Sequence, residues 1–271
     1  MLEAASYWGF ARVRFVDLLA NRTRFAVGIG AYFIYVSVYQ AIYRAIYAGQ
    51  GAAAVQAGGA VGGLKLSEAL TYVVVAWVLR SLYTNALDRE VTEEVRRGDI
   101  ALALLKPVDY ATAKLAGAAG ETLFRAAFFT LPAAIIIALA YPIRAPESPL
   151  NALAALAGAV LAFAVYSQIN LLVGLMTVFT EHSLGLQRAK NAAMDLLGGV
   201  LLPLSLYPDW ARAVLQWLPF QAVAYTPTAL YLGKLDILRG LGAQALWVLA
   251  LWLIVRLVWT RALDRLTVQG G

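Results

Sequence analysis

The sequence of 271 residues is 61% hydrophobic and only 14% charged, with a formal net charge of +6. A soluble domain has roughly 45–50% apolar and about 25% charged residues, so the composition excludes an ordinary soluble fold. The absence of cysteine excludes disulfide frameworks, thiolate metal sites and cysteine nucleophiles. The basic residues are scattered between apolar runs rather than gathered on one face, so we expect no nucleic-acid partner.

The chain begins with a segment, residues 1–24, that we predict to be an amphipathic helix lying in the membrane interface. Trp8 and Ala11 recur at helical spacing on an apolar side, whereas Arg14 and Asp17 fall on the other side. The first 25 residues contain no uninterrupted hydrophobic region of the kind that a signal peptide has. We therefore expect no cleaved signal peptide.

Residues 25–271 are predicted to form one all-α integral membrane domain with six transmembrane helices. Several apolar runs approach the roughly 20 residues that are needed to cross about 30 Å of hydrocarbon. The fifth run is short and is broken by Gly198, Gly199 and Pro203. The six spans are predicted at residues 25–43, 70–86, 124–141, 150–180, 192–206 and 241–259.

Three connecting segments have distinct compositions. Residues 48–63 are rich in glycine and alanine, which predicts a flexible loop. Residues 87–114 form the largest polar segment and are predicted to be a cytoplasmic loop. Residues 207–233 contain Trp210 and Trp217 and are predicted to form an outer re-entrant or interfacial hairpin. This hairpin anchors the protein at the headgroups or, alternatively, gates the exit of an amphipathic substrate.

The distribution of basic residues orients the six spans. An even number of spans puts both termini on one side, and Lys and Arg accumulate on the cytoplasmic side. The side with the termini carries Arg12, Arg14, Arg22, Arg24, Arg80, Arg89, Arg96, Arg97, Lys106, Lys114, Arg188, Lys190, Arg256, Arg261 and Arg265. The other side carries Arg44, Lys65, Arg144, Arg212, Lys234 and Arg239. We therefore predict a multi-pass protein of the cell (inner) membrane with both termini cytoplasmic.

The most informative run lies in the loop between the second and third spans. Gly98 is suited to end a polar helix, Asp99 to cap a new helix, and Pro107 to stop it after about two turns. This short helix is apolar nearly all round, so several of its sides need a cover. Either it packs beneath its own membrane domain or it docks on another subunit. Its apolar residues are Ile100, Leu102, Leu104 and Leu105.

The run of Gly98, Asp99 and Ile100, followed by Leu104, Leu105, Lys106, Pro107, Val108 and Asp109, resembles a stretch of bacterial ABC type-2 permeases. These are the membrane subunits of ATP-binding-cassette exporters, and the order of segments also agrees over nearly the whole chain. The resemblance implies that the short helix is a coupling helix seated in a groove of a cytosolic ATPase subunit. It also implies a second permease subunit, the same or a homologous chain, with membrane lipid around both. The implied coupling residues are Gly98, Asp99, Ile100, Leu102, Leu104, Leu105, Lys106, Pro107 and Asp109.

The chain has no phosphate-binding loop of its own. Lys65 follows two glycines but continues with Leu66 and Ser67, which does not match G-x-x-x-x-G-K-[ST]. We therefore expect no cofactor and no enzymatic activity in this chain, with ATP and Mg²⁺ bound by the partner ATPase. The alternative is an ion-coupled secondary transporter or channel, for which Asp195 stands near the broken fifth span. An intramembrane enzyme fits least, because the chain has one histidine and no cysteine.

Polar residues inside the predicted spans are candidates for a substrate path. Gln168 and Asn170 line a polar cavity or hydrogen-bond between helices. Arg125 and Asp195 lie near the cytoplasmic ends of their spans, where we favour snorkelling over a role in transport. The charges at 181–190, which include the histidine, are interpreted as solvated loop charge rather than a metal site. The candidate path residues are thus Gln168, Asn170 and Asp195.

Overall fold

The computed structural model describes residues 2–20, 23–49, 60–180 and 183–269, and helices dominate these residues. The helices are α1 (Leu2–Ala20), α2 (Thr23–Gly49), α3 (Leu66–Tyr83), α4 (Leu87–Arg97), α5 (Ile100–Leu104), α6 (Tyr110–Arg125), α7 (Leu131–Ala140), α8 (Pro149–Leu175), α9 (Leu184–Leu197), α10 (Asp209–Leu215), α11 (Tyr225–Tyr231) and α12 (Ile237–Gln269). A π-helical turn, Ala126–Thr130, joins α6 to α7. The 3-10 turns are Met176–Val178, Leu204–Leu206 and Pro219–Ala222.

Four helical stretches within the described residues are long and apolar enough to cross a membrane. They contain the predicted second and sixth spans and all but the last one or two residues of the third and fourth, and they are consistent with an all-α, multi-pass membrane protein. The stretches are Leu66–Arg97, Tyr110–Ala140, Pro149–Val178 and Ile237–Leu266. The predicted first span falls within α2, which has 27 residues. The count of six spans stays a prediction.

The predicted fifth span differs most from the structure. The helix here, α9, begins before residue 192 and has 14 residues, which at about 1.5 Å per residue is shorter than about 30 Å of hydrocarbon. It ends at Leu197 because Gly199 takes a left-handed backbone conformation, with φ of +86°. The predicted break is therefore present, but a helix over 192–206 is wrong.

Two predicted segments contain regular structure that the sequence did not predict. The helical stretch that contains most of the predicted third span begins at Tyr110, so residues 110–123 are helical ahead of the predicted start at residue 124. The sequence did not indicate this part of α6 because its small side chains are less apolar than those of a typical membrane span. In the predicted flexible loop, Ala60–Val61 pairs with Leu64–Lys65 in an antiparallel hairpin. Residues 50–59 of that loop lie outside the described residues.

Helix α1 forms as predicted and packs along α6. A Cβ atom at Gly120 would lie only 2.0 Å from the carbonyl oxygen of Ala11, so the two backbones touch at this glycine. The Phe15 ring meets the Phe124 ring edge-on, with centroids 5.7 Å apart. Trp8 is exposed. One part of the apolar side of α1 thus packs on α6, and another part is exposed. The position of α1 in the membrane interface stays a prediction.

Buried side chains fill both ends of the helical bundle. At one end, Trp77 of α3 packs with Val36 of α2. At the other end, Val91 of α4, Leu171 of α8 and Trp259 of α12 share one cluster. Helix α4 therefore continues the bundle beyond α3 instead of leaving it, and this brings the polar residues of α4 against α8.

The segment 207–233 is helical, as the predicted hairpin requires, and consists of α10 and α11 joined by a 3-10 turn. Trp210 and Trp217 are exposed. Directly after this segment, the Lys234 ammonium lies 2.9 Å from the buried Glu68 carboxylate at the start of α3. This ion pair ties the end of the segment to the bundle, while its depth in a membrane stays a prediction.

Candidate functional site

The run that resembles a coupling segment folds as a short helix between α4 and α6. Gly98 ends α4 in the left-handed conformation, with φ of +77°, as predicted. The predicted side-chain cap by Asp99 is wrong, because Asp99 has helical φ and ψ and its carboxylate caps nothing. Helix α5 has only five residues, and the chain turns at Leu105 to Pro107 before α6 begins.

The apolar side chains of α5 divide into a buried part and an exposed part. Ile100 is 2% exposed and packs in the cluster that contains Leu87 and Val91. Leu102 is 64% exposed and Leu105 is 80% exposed. Packing beneath the chain's own membrane domain therefore accounts for Ile100 and leaves two leucines uncovered. The Leu104 side chain lies outside what the structure describes.

Ion pairs hold the helices on either side of α5 in place. The Lys114 ammonium on α6 lies 2.8 Å from the Glu90 carboxylate of α4 and also binds Glu94. The Arg14 guanidinium of α1 lies 3.4 Å from Glu90 and 3.3 Å from Glu121. These ion pairs connect α1, α4 and α6. The two helices that flank α5 are therefore held together by charged contacts.

Asp109 has a structural partner on each side. Its carboxylate accepts the backbone N–H of Thr112 at 2.9 Å and so caps α6, and it also binds the Arg256 guanidinium of α12. Its own N–H donates to the Tyr7 hydroxyl at 3.1 Å. Burial would raise the pKa of the Asp109 carboxyl, but hydrogen bonds from Thr112 and Arg256 outweigh burial and lower this pKa. Asp109 thus fixes where the run 98–109 ends and α6 begins.

Replacing Asp109 with alanine is expected to lower the free energy of unfolding by about 1–2 kcal/mol, because α6 loses its N-cap. Asparagine keeps an oxygen that can cap α6, and Asp109→Asn loses only the half-exposed ion pair with Arg256. This variant should therefore lower the free energy of unfolding by less than about 1 kcal/mol. Unfolding in mixed detergent micelles measures both variants. Equal losses in the two variants would show that the charge, and not the cap, is what matters.

A second polar cluster lies inside the bundle around the predicted path residue Asn170. The Asn170 amide donates to the Asn85 side-chain oxygen at 2.9 Å and accepts the Lys190 ammonium at 2.6 Å. Lys190 also lies 2.7 Å from the Asp88 carboxylate, and both charged side chains are 5% exposed. Asn85 in turn donates to the Ser167 hydroxyl at 2.9 Å. Asn170 therefore makes interhelical hydrogen bonds, and its contact with substrate stays a prediction.

The interpretation of Lys190 as solvated loop charge is wrong, because the structure buries this lysine against Asp88. The sequence offered no local signal, since the two residues are 102 positions apart. They meet because α4 extends along α8, which places Asp88 inside the bundle. Glu181 and His182, predicted as part of the same solvated charge, lie outside the described residues.

The other intramembrane polar residues find partners within the bundle. The Arg80 guanidinium lies 2.6 Å from the Asp195 carboxylate, and the snorkelling of Asp195 stays a prediction. The Arg125 guanidinium donates to the Ser81 carbonyl at 2.9 Å, and its snorkelling likewise stays a prediction. Gln168 is buried, and its side-chain oxygen has no hydrogen-bond partner among the described residues. No hydrogen bond or ion pair within the described residues joins the three predicted path residues directly, and their contact with substrate stays a prediction.

Comparison with known proteins decides the family. The model of the family described as ABC-2 family transporter protein matches residues 52–270, which is most of the chain. The chain belongs to this family. The resemblance of the run at 98–109 to ABC type-2 permeases is thereby confirmed. Neither the curated proteins nor the solved structures contain a significant match to the chain.

Membership of the ABC-2 family gives the chain a general role. It is a permease subunit of an ABC transporter, a class of membrane subunits that move substrate and associate with ABC ATPase subunits. The apolar helical stretches agree with a multi-pass membrane location. The exposed Leu102 and Leu105 thus belong to a protein of a family that associates with ABC ATPase subunits.

Proposed function

We propose that this ABC-2 protein is the permease subunit of an exporter for an amphipathic or hydrophobic substrate, driven by separate ATPase subunits that dock on α5. ATP and Mg²⁺ are bound by those partners. Two permease subunits, the same chain twice or this chain with a homologue, form the pathway in the cell (inner) membrane. Both termini and α5 face the cytoplasm, as the excess of Lys and Arg on that side indicates.

The observation that carries this proposal is the exposed pair of Leu102 on α5 and Leu105 directly after α5, a helix that is anchored through Ile100. Exposed leucines on a braced, charged surface are typical of the apolar centre of a docking site. Arg97, Asp99 and Lys106 are exposed around them and supply a polar rim. Movement of a docked ATPase would therefore reach α4 and α6, which flank α5.

Family membership also favours an ATPase partner over the alternative of an ion-coupled secondary transporter or channel. An ion-coupled transporter needs a coordinating site near broken helices. Asp195 is the acid nearest to the broken fifth segment, and it is bound to Arg80. The polar groups inside the bundle thus pair with one another and stabilise the helix packing. This favours a transporter whose energy is supplied by a separate ATPase.

Replacing Leu105 with glutamate is expected to lower the amount of cognate ATPase that co-purifies with the tagged permease by about tenfold or more, since a charge at a hot spot costs about 2 kcal/mol. The matched control is Leu105→Met, which keeps an apolar side chain of similar size and should retain the ATPase. Since Leu105 is exposed, both variants should insert and unfold like the unmodified chain. Full retention of the ATPase by Leu105→Glu would refute docking on α5.

A further inference from the structure

A cavity of about 310 Å³ opens between α3, α4, α8 and α9, and its wall is strongly basic. Four cationic side chains line it: Arg80, Arg89, Arg188 and Lys190. Asp88 is the one acidic residue among the described residues that line it. The cavity lies where α4 and α9 leave the apolar part of the bundle, on the side that carries the predicted cytoplasmic charges.

The ion pairs around this cavity leave an excess of positive charge. Asp88 is already bound by Lys190 at 2.7 Å, and it also accepts the backbone N–H of Arg89 at 2.9 Å. Arg80 is bound by Asp195. The guanidinium groups of Arg89 and Arg188 are exposed and form no ion pair within the described residues. Two cationic groups at the rim are therefore available to a ligand.

The other features of the cavity also favour an anion. Helix α9 begins at Leu184, and the N-terminal end of a helix carries a partial positive charge. Asn191 lines the cavity with an exposed amide, which can donate hydrogen bonds. A cationic ligand would instead have to separate Asp88 from Lys190, which would leave a buried ammonium unpaired.

From this geometry we infer that the cavity binds the phosphate-type headgroup of an anionic amphipathic molecule, held at the rim by Arg89 and Arg188. Guanidinium groups match phosphate oxygens with paired hydrogen bonds. The exposed Leu184 at the same cavity offers an apolar contact to the attached chain. The inference rests on the proposed function in that it identifies this molecule with the substrate class of the exporter.

The test measures ligand binding to the full-length permease in neutral detergent, without the ATPase. The probes are dioctanoyl phosphatidic acid, inorganic phosphate and dioctanoylglycerol, which has the same chains but no anion. In the double variant Arg89→Gln and Arg188→Gln, the affinity for phosphatidic acid should fall about tenfold or more. The matched control, Arg12→Gln with Arg96→Gln, removes the same charge from exposed positions of α1 and α4 outside the cavity and should change affinity less than about twofold.

The outcomes separate the sources of the anion. Binding of phosphatidic acid, but not of phosphate, that depends on Arg89 and Arg188 supports a lipid-like headgroup. Binding of inorganic phosphate that depends on the same arginines supports the anion site and identifies a soluble ligand. Equal binding of dioctanoylglycerol, or equal losses in both double variants, would overturn the inference. Because no ATPase is present, such a failure leaves the proposed docking on α5 untouched.

Discussion

Replacement of Lys190 by methionine is expected to lower the free energy of unfolding by about 3–5 kcal/mol, the largest stability effect that we predict. The substitution leaves the Asp88 carboxylate buried without its partner and removes the donor to the Asn170 side-chain oxygen. A buried charge without a counterion is far more costly than the loss of an exposed ion pair. Unfolding in mixed detergent micelles, followed by circular dichroism, measures the change.

Two further variants separate the buried pair from a general effect of charge. Arg97→Met breaks an exposed pair with Glu93, in which the charged atoms are 3.6 Å apart, and should cost less than about 1 kcal/mol. The double variant Lys190→Met with Asp88→Leu removes both buried charges and should recover part of the loss. If Lys190→Met is no more destabilising than Arg97→Met, the interior pairing described above is incorrect.

Replacement of Gly120 by valine is expected to separate α1 from α6. Even the first carbon of the new side chain would lie 2.0 Å from the Ala11 carbonyl oxygen, and backbone cannot rotate away as a flexible side chain can. We expect a loss of about 1–3 kcal/mol and a much faster proteolytic cleavage of α1. Limited proteolysis in detergent, with the fragments identified by mass spectrometry, reads out the detachment.

Gly117 provides the matched control on the same helix. Among the described residues, a Cβ atom at Gly117 would meet no heavy atom within 4 Å outside its own helix and chain neighbours. Gly117→Ala should therefore leave α1 protected and raise stability by about 0.5–1 kcal/mol, as alanine does within a helix. Cleavage of α1 at the same rate in both variants would contradict the close packing of α1 on α6.

Features of this protein that depend on local rules could be predicted from the sequence. Gly98 ends α4 because a glycine after a polar helix readily takes the left-handed conformation. The apolar runs located four helices that are long enough to span. The run that ends at Asp109 also pointed to the correct family. These signals are carried by adjacent residues or by composition.

Features that depend on contacts between distant residues could not be predicted. Asp99 was as good a cap by residue type as Asp109, yet only Asp109 has the extended backbone that brings its carboxylate to the next helix. Lys190 lies in a charged stretch that resembles a solvated loop, and Asp195 lies at the start of the predicted fifth span. Their ion pairs are with Asp88 and Arg80, which the bundle brings to them from the second predicted span and its extension.

The proposed docking surface on α5 was predicted from the sequence only in part. The sequence showed that the helix at 100–104 is apolar on several sides, but not which side its own bundle covers. The structure assigns Ile100 to the bundle and leaves Leu102 and Leu105 exposed. That division turns a general expectation of docking into a specific surface that can be changed one residue at a time.

The rate of ATP hydrolysis by the cognate ATPase in proteoliposomes, with and without this chain, tests the central claim most directly. We predict that the permease changes the rate and that Leu102→Glu with Leu105→Glu returns it to the rate of the ATPase alone. Leu105→Met should behave as the unmodified chain. An ATPase rate that is indifferent to the permease, or substrate transport driven by an ion gradient without ATP, would contradict the account.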